Sequence, residues 1–306
     1  MNKRQLGSSN LMVSEIGLGC MTLGTDEKKA TDIVNRALDA GINYLDTADL
    51  YNFGRNEEIV GKALKGKRDE VILGTKGGNH FDREQEDWYW DPSKSYIKDA
   101  VKNSLHRLGT DYIDLYQLHG GTIDDPIDET IAAFDELVQE GLIRYYGISS
   151  IRPNVIREYV KRSNIVSVMM QYSLLDRRPE EEILDLLNEN RISVLARGPL
   201  AKGMLSNNGL EKVQEKAQEG YLSYSQEEVK HMIEHLLGHS SDERSLQALA
   251  LQYVLQDPTV STAVFGASSI KQLERNLSML EAPPLTKDVY AQLQQITRPN
   301  VYQKHR

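Results

Sequence analysis

The sequence predicts a (β/α)8 barrel from three observations. Eight short apolar runs rich in β-branched residues alternate with eight longer helical patterns along 306 residues. Eight strands alternating with eight helices match the element count of a barrel whose usual length is roughly 250 residues. No linker rich in Pro, Gly or Ser interrupts the alternation, so we expect a single domain over residues 1–306. A doubly wound open sheet is the alternative, but it would be unusually long without a second subdomain.

The elements follow in order along the chain. Strands are predicted at 14–19, 43–48, 71–76, 113–119, 143–149, 167–173, 193–199 and 262–267. Helices are predicted at 27–40, 56–65, 93–108, 127–140, 153–162, 180–189, 242–256 and 270–280, with a closing helix near 286–297. Two helices carry start signals: Asp125 is predicted to cap one helix with Pro126 in its first turn, and Pro179 followed by three glutamates places acids at the positive end of another. Glycines stand where three C-terminal caps belong, at Gly41, Gly109 and Gly141.

Two segments lie outside this repeat. The stretch RQLGSSNLMVSEIG, residues 4–17, has a polar turn between short apolar runs. It predicts a β-hairpin at the barrel floor. Residues 204–241 form a long polar insertion after the seventh strand. We expect this insertion to act as a lid over the active-site face.

Composition narrows the functional classes. The chain is 40% hydrophobic and 26% charged, and its 36 Lys and Arg against 45 Asp and Glu give a net charge of −9. This charge argues against general affinity for nucleic acid or anionic lipid, while a local basic pocket for phosphate stays open. Cys20 is the one cysteine, and neither a signal peptide nor a membrane span is apparent. We therefore expect a cytoplasmic protein that acts on a small molecule, with no protein partner implied.

Ionisable side chains stand at the carboxyl ends of three predicted strands. These are Asp46, Lys76 and His119, and Tyr51 follows in the loop after the second strand. Each has an ordinary structural interpretation, as a turn-former, a solvated strand end, a core histidine or a surface aromatic residue. Because the carboxyl ends of barrel strands meet on one face, we expect the four to converge on one rim. Together they indicate an active site.

These four residue types suit protonation of a developing alkoxide. An ammonium at the end of an apolar strand needs a carboxylate, which Asp46 can supply to Lys76. A tyrosine has a reference pKa of about 10, but a neighbouring ammonium favours the phenolate and makes Tyr51 a usable proton donor. His119 can orient a substrate carbonyl. None of the four is a strong nucleophile beside a base, so acyl transfer fits poorly and the reaction requires a hydride from elsewhere.

The chain resembles the aldo-keto reductase family over nearly its whole length. The matching stretches agree in order, spacing and strand placement: GINYLDTADLYNFGRNEEIVGKAL, VILGTKGG, DYIDLYQLHG, GLIRYYGISS, VMMQYSLLDR, GPLAKGML and VFGASSIKQLERNL. The resemblance implies that Asp46, Tyr51, Lys76 and His119 form a catalytic tetrad. It also implies that NADPH delivers a hydride reversibly to an aldehyde or ketone while Tyr51 donates the proton.

The resemblance further implies a set of cofactor contacts. Ser149 and Gln171 would bond the carboxamide, with Ser150 where many members have Asn. The groups near the nicotinamide would be Gly19, Cys20, Met21 and Asp46. The residues around the pyrophosphate would be Gly198, Pro199, Leu200, Ala201 and Gly203. The residues holding the adenosine 2′-phosphate and adenine would be Gly266, Ser268, Gln272, Arg275 and Asn276, where a helix N-terminus offers free N–H groups to phosphate.

Two departures from the family pattern bear on the cofactor. Arg197 stands where many relatives place an aromatic residue that stacks on the nicotinamide, although a guanidinium plane also stacks. Ser268 and Gln272 stand where some relatives have Arg, which weakens the electrostatic preference for NADPH over NADH. Arg275 and Lys271 remain nearby, so we expect NADPH.

Three other interpretations compete. The sequence HMIEH, His231 to His235, followed by His239, matches a zinc-hydrolase pattern but lies in the insertion, far from the strand ends. The sequence WYW, Trp88 to Trp90, walls a substrate pocket or packs across the barrel mouth. The chain could also be a non-catalytic NADPH-binding regulatory subunit of the same fold. The presence of all four tetrad residue types favours an enzyme.

Overall fold

Eight of twelve strands close into a parallel barrel. The computed structural model describes residues 1–306. The strands are β1 (Lys3–Gln5), β2 (Met12–Ser14), β3 (Ile16–Gly19), β4 (Tyr44–Asp46), β5 (Ile72–Gly77), β6 (Asn79–Asp82), β7 (Asp87–Trp90), β8 (Ile113–Leu118), β9 (Ile143–Ser149), β10 (Ser167–Gln171), β11 (Ser193–Arg197) and β12 (Val260–Gly266). The barrel order is β3-β4-β5-β8-β9-β10-β11-β12, with β12 pairing back onto β3. The predicted fold class is confirmed.

Helices follow the barrel strands and cover the outside of the barrel. They are α1 (Glu27–Asp39), α2 (Arg55–Ala63), α3 (Lys94–Leu108), α4 (Ile127–Gln139), α5 (Pro153–Arg162), α6 (Ile183–Glu189), α7 (Gly209–Lys216), α8 (Gln226–Leu237), α9 (Leu246–Gln256), α10 (Ile270–Ser278) and α11 (Lys287–Ile296). The largest core cluster contains apolar side chains of the barrel strands and of the helices around them. No helix has the length and apolar character needed to span a membrane.

The N-terminal hairpin plugs one end of the barrel, as predicted. Strands β1 and β2 pair antiparallel, and Leu6, Leu11 and Val13 join a second buried cluster. The other six members of this cluster come from the barrel strands or the residue before one of them, and no helix contributes. The cluster therefore fills the interior of the barrel. It includes Tyr44, which becomes important for the site above it.

The helix ends mostly have the capping residues that the sequence predicts. Gly109 is the C-cap of α3 with a φ of 62°, a left-handed conformation that glycine adopts without strain. The prediction that Asp125 caps α4 is wrong, because the cap residue is Pro126 and has no side-chain hydrogen bond. The Asp125 carboxylate instead accepts from the backbone N–H and the hydroxyl of Thr122 and from the Trp90 indole. It therefore ties two loops together at the barrel mouth.

Two structured segments appear where only irregular chain was predicted. The insertion at 204–241 contains α7 and α8, because Val229, Met232, Ile233 and Leu236 form a buried helical stripe. The loop after β5 contains the hairpin β6–β7, which carries Trp88 and displays it to solvent. Both segments follow barrel strands and so lie on the side of the barrel where the strands end.

Candidate active site

Lys76 and Asp46 meet beneath the rim of the barrel. Lys76 ends the apolar run of β5, and its Nζ lies 2.6 Å from Asp46 Oδ2 with both side chains buried. The same ammonium donates to the Thr47 carbonyl oxygen at 2.7 Å. Burial by itself lowers the pKa of Lys76, but Asp46 and Tyr51 outweigh it and the pKa is raised. The lysine is therefore held in its charged form.

Tyr51 and His119 complete the predicted group. Lys76 Nζ lies 3.5 Å from Tyr51 Oη and 5.1 Å from the centroid of its ring. The Tyr51 and His119 rings meet edge to face, with centroids 5.8 Å apart. A tight turn follows Tyr51, in which Asn52, Phe53 and Gly54 all have positive φ. The contacts among Asp46, Lys76, Tyr51 and His119 show that the four side chains lie together as predicted.

His119 is held in its neutral form. Burial lowers its pKa to about 3, and the charges of Lys76 and Arg197 contribute to the same shift. Its Nδ1 is buried without a hydrogen-bond partner, which leaves Nε2 as the accessible ring nitrogen. A neutral imidazole that is protonated on Nε2 donates one hydrogen bond outward and carries no charge. This suits a role in orienting a carbonyl oxygen.

Three residues that sequence analysis did not identify support this group. Tyr44 Oη donates to Asp46 Oδ1 at 3.2 Å, and Gln117 Nε2 reaches the same oxygen at 3.4 Å. Burial raises the pKa of Asp46, while Lys76, Tyr44 and Gln117 oppose that rise by stabilising the carboxylate. Asn56 accepts from the Thr47 hydroxyl and donates to the Cys20 carbonyl oxygen, joining two strand-end loops.

The signal for two of these residues was present in the sequence. Alternate residues of a strand face the same side. Tyr44 precedes Asp46 by two residues, and Gln117 precedes His119 by two. Both therefore point into the barrel directly below a predicted catalytic residue.

A cleft of about 740 Å³ opens along the ends of β11 and β12. Eight of the predicted cofactor residues line it: Gly198, Pro199, Leu200, Gly203, Gly266, Gln272, Arg275 and Asn276. Lining residues that were not predicted are Thr22, Lys202, Ser206, Asn207, Asn208, Lys212, Gln247, Val264 and Phe265. Most of the added residues come from the insertion or from the end of β12.

The cleft lining fits a polyanionic dinucleotide. It contains the cations of Lys202, Lys212 and Arg275 and no carboxylate, although the whole chain carries a net charge of −9. The Lys212 ammonium pairs with Glu215 outside the lining, whereas Arg275 is exposed. Clefts lined by one sign of charge concentrate ligands of the opposite sign. The site is therefore suited to the phosphates of a nicotinamide dinucleotide.

The loop after β11 is held in an unusual backbone conformation. Gly198, Ala201, Lys202 and Gly203 all have positive φ, at 67°, 45°, 58° and 87°. The left-handed region costs little for glycine but of order 1–3 kcal/mol for other residue types, and such residues cluster at functional sites. Gly198 and Gly203 of this turn line the cleft, and because they have no side chain a ligand can approach the protein backbone closely there.

The turn before α10 is closed by its own side chains. Gln272 Oε1 accepts from the backbone N–H of Ser268 at 2.9 Å and from its hydroxyl at 3.0 Å. The helix is capped by Ser269, whose side chain accepts from the Gln272 backbone N–H. Asn276 Nδ2 reaches the Gly266 carbonyl oxygen at 3.4 Å. Ser268 and Gln272 therefore satisfy each other, and Arg275 is the cation that this helix presents to the cleft.

The residues assigned to the nicotinamide side lie on neighbouring strand ends. Gln171 pairs in register with Arg197, and Ser149 pairs with Met169 on the next strand. Met21 is 58% exposed beside the mouth. Six residues of the whole set assigned to the cofactor are buried, namely Cys20, Asp46, Ser150, Pro199, Ala201 and Asn276. Cys20 and Ala201 can therefore contact a ligand only through their backbone groups.

The competing sites are not assembled. His231 and His235 lie on the exposed face of α8, and nowhere in residues 1–306 do three or more His, Cys, Asp or Glu side chains form a group able to hold a metal ion. In the WYW stretch, Trp90 packs close to Gly78 and Gly120, while Trp88 and Tyr89 are more than half exposed. The stretch therefore packs at one residue and faces solvent at the other two.

Comparison with known proteins agrees with this geometry. The sequence model of the Aldo/keto reductase family matches residues 15–298. An uncharacterised oxidoreductase of Bacillus subtilis, YqkF, is 58% identical with complete coverage of both chains. The NADH-specific methylglyoxal reductase of Escherichia coli is 32% identical over 92% of this chain and 94% of the relative.

A solved structure is also similar. The holo form of aldo-keto reductase AKR11C1 from Bacillus halodurans is 59% identical and superimposes with a TM-score of 0.93. The match covers 100% of this chain and 99% of that one. The family match, the sequence identities and the closed eight-stranded barrel agree. This chain belongs to the aldo/keto reductase family, whose members use nicotinamide cofactors.

Proposed function

We propose that this protein reduces an aldehyde or ketone to an alcohol with NADPH, and that Tyr51 is the general acid. The observation that carries the proposal is the contact of Lys76 Nζ with both Asp46 Oδ2 and Tyr51 Oη. A cation held beside a phenol stabilises the phenolate that remains after proton donation. Asp46 keeps that cation charged and fixed.

The remaining residues position the carbonyl. His119 is neutral, so its accessible nitrogen donates a hydrogen bond to the carbonyl oxygen without adding a charge. A nicotinamide cofactor held by the residues of the cleft would supply the hydride to the carbonyl carbon. Tyr51 gives its proton to the same oxygen as negative charge develops there, and Lys76 stabilises the phenolate. The strand-end location supplies a rigid scaffold for this geometry.

The cofactor preference rests on charge. NADPH carries an additional phosphate relative to NADH, and exposed Arg275, in the last turn of α10, lines the cleft. One relative is NADH-specific by name, so family membership does not decide the preference. Initial rates over a panel of aldehydes and ketones, with NADPH and NADH in parallel, test it. A strong preference for NADH would contradict our assignment of the 266–276 segment.

The Tyr51→Phe variant tests the catalytic assignment. We expect it to keep NADPH binding while kcat falls by about 10²–10⁴, the usual size of a general-acid contribution. Tyr112→Phe is the matched control, because Tyr112 is also partly exposed but contacts Asp69, Arg68 and Arg144. It should react as the wild type does. A wild type that binds NADPH but oxidises it with no carbonyl of the panel would instead support the non-catalytic binding role.

A further inference from the structure

We propose that Arg197 makes this site bind the reduced nicotinamide cofactor more tightly than the oxidised one. The inference rests on the proposed function, because it requires a nicotinamide beside Gln171. Its basis is an unpaired guanidinium held at the strand end where that ring would lie. The quantity at issue is the ratio of the dissociation constants of the oxidised and the reduced cofactor.

Arg197 is held next to the residue assigned to the carboxamide. The two residues are register partners on β10 and β11, and Arg197 Nη1 donates to Gln171 Oε1 at 3.3 Å. On its other side, Gln171 Nε2 donates to Tyr221 Oη at 3.0 Å. Tyr221 comes from the insertion and is buried. The Gln171 side-chain amide is therefore fixed between two partners, and the Arg197 guanidinium lies directly beside it.

No carboxylate neutralises this guanidinium. The Arg197 side chain is exposed, and its side-chain hydrogen bond is to the neutral Gln171. The carboxylates of the surrounding strand ends already have cationic partners, because Asp46 pairs with Lys76 and Asp176 pairs with Arg178. The charge of Arg197 also reaches into the site, since it helps to lower the pKa of His119.

Oxidation of the cofactor changes the charge beside this arginine. In carbonyl reduction a hydride, with its electron pair, leaves the neutral dihydronicotinamide for the carbonyl carbon, and Tyr51 supplies the proton to oxygen. The ring that remains carries one positive charge. A cation held at the same strand end disfavours the positively charged ring, whereas the neutral reduced ring is unaffected. Arg197 therefore weakens binding of the oxidised form and favours its release.

A different function for Arg197 would give a different result. The pyrophosphate is assigned to residues 198–203, directly after Arg197. A guanidinium that binds this pyrophosphate would strengthen both redox forms equally, because the phosphates do not change during the reaction. The ratio of the two dissociation constants therefore separates the two functions, whereas either constant alone does not.

The experiment is an equilibrium titration of the full chain with NADPH and with NADP⁺, in which binding is measured as quenching of the intrinsic fluorescence. NADH and NAD⁺ are titrated in parallel. For Arg197→Met we expect the ratio of Kd for NADP⁺ to Kd for NADPH to fall about tenfold, the scale of one screened charge interaction. Arg197→Lys keeps the charge and should keep most of the ratio.

Lys202→Met is the matched control. Lys202 is a cation that lines the cleft, on the loop directly after Arg197, and its Nζ lies 5.9 Å from the Tyr221 ring. Its loss should weaken both redox forms while leaving the ratio unchanged. An unchanged ratio in Arg197→Met, or a ratio that falls equally in Arg197→Lys, overturns the inference. Absence of nucleotide binding by the wild type overturns the proposed function itself, which is a separate and recognisable outcome.

Discussion

Lys76 and Asp46 form an ion pair with Nζ 2.6 Å from Oδ2, and both side chains lie almost completely out of contact with solvent. Removing two charges from water is costly, and their mutual attraction offsets the cost only when further hydrogen bonds satisfy them. Here Thr47, Tyr44 and Gln117 provide those bonds. The pair is therefore part of a connected polar group, which contributes to stability and, in the proposed function, to catalysis.

Lys76→Met should lower kcat by about 10²–10⁴, because the cation that stabilises the Tyr51 phenolate is lost. It should also destabilise the protein by about 3–5 kcal/mol, since Asp46 is left as a buried, unpaired carboxylate. Steady-state kinetics and denaturant unfolding measure the two effects. Full activity in this variant would rule out the proposed use of Lys76.

The double variant Asp46→Asn, Lys76→Met separates these effects. With both charges removed, no unpaired ion remains, so we expect the double variant to be more stable than Lys76→Met alone. Its activity should stay as low as that of the single variant. Recovery of stability without recovery of kcat would show that the charge is needed for chemistry. Additive losses of stability would contradict the ion-pair interpretation.

Tyr44→Phe should shift the acid limb of the pH–kcat profile to higher pH. The Tyr44 hydroxyl opposes the rise in the pKa of Asp46, so its removal raises that pKa further and the carboxylate is protonated at a higher pH. Tyr159→Phe is the control, because Tyr159 is also buried but its hydroxyl has no hydrogen-bond partner. An acid limb that moves equally in both variants would remove Tyr44 from the catalytic group.

Gly74→Ala should disturb the same tyrosine from the neighbouring strand. A Cβ at this position would lie 2.5 Å from Tyr44 Oη, and overpacking of this kind costs about 1–3 kcal/mol. Removing the Tyr44 hydroxyl eliminates the closest contact. We therefore expect Gly74→Ala with Tyr44→Phe to be less destabilised than the sum of the two single variants, as measured by denaturant unfolding. Strict additivity would show that the strand shifts instead.

His119 should make stability increase with pH in the acidic range. Its pKa in the folded protein is about 3, whereas the ordinary value is 6.5, so between these values the unfolded chain binds the additional proton. Stability rises with pH wherever the unfolded state binds more protons, and it is lost as pH falls through this window. His119→Gln should flatten the rise in Tm between about pH 4 and pH 6.5. An unchanged slope would place His119 in a solvated environment.

The barrel was predictable because its signals are local and repeated. Each barrel strand is a short apolar run, and the predicted strand at 143–149 coincides with β9. The insertion was predicted less well, since α8 has its apolar stripe within a polar segment that contains three histidines. The β6–β7 hairpin was missed because its strands have four residues each and exposed aromatic side chains. Short, exposed strands have no buried face, so their apolar residues do not recur at every second position.

The sequence by itself determined the residue types at the strand ends, and parallel strands necessarily bring those ends to one face. For this reason the chain's residue order alone points to Asp46, Tyr51, Lys76 and His119. Only the tertiary structure decided that Tyr44 and Gln117 support Asp46 from below, and that Arg197 has no carboxylate partner. Strand register, side-chain rotamers and the path of the insertion set those contacts. They depend on packing between segments far apart in the chain, which no local pattern encodes.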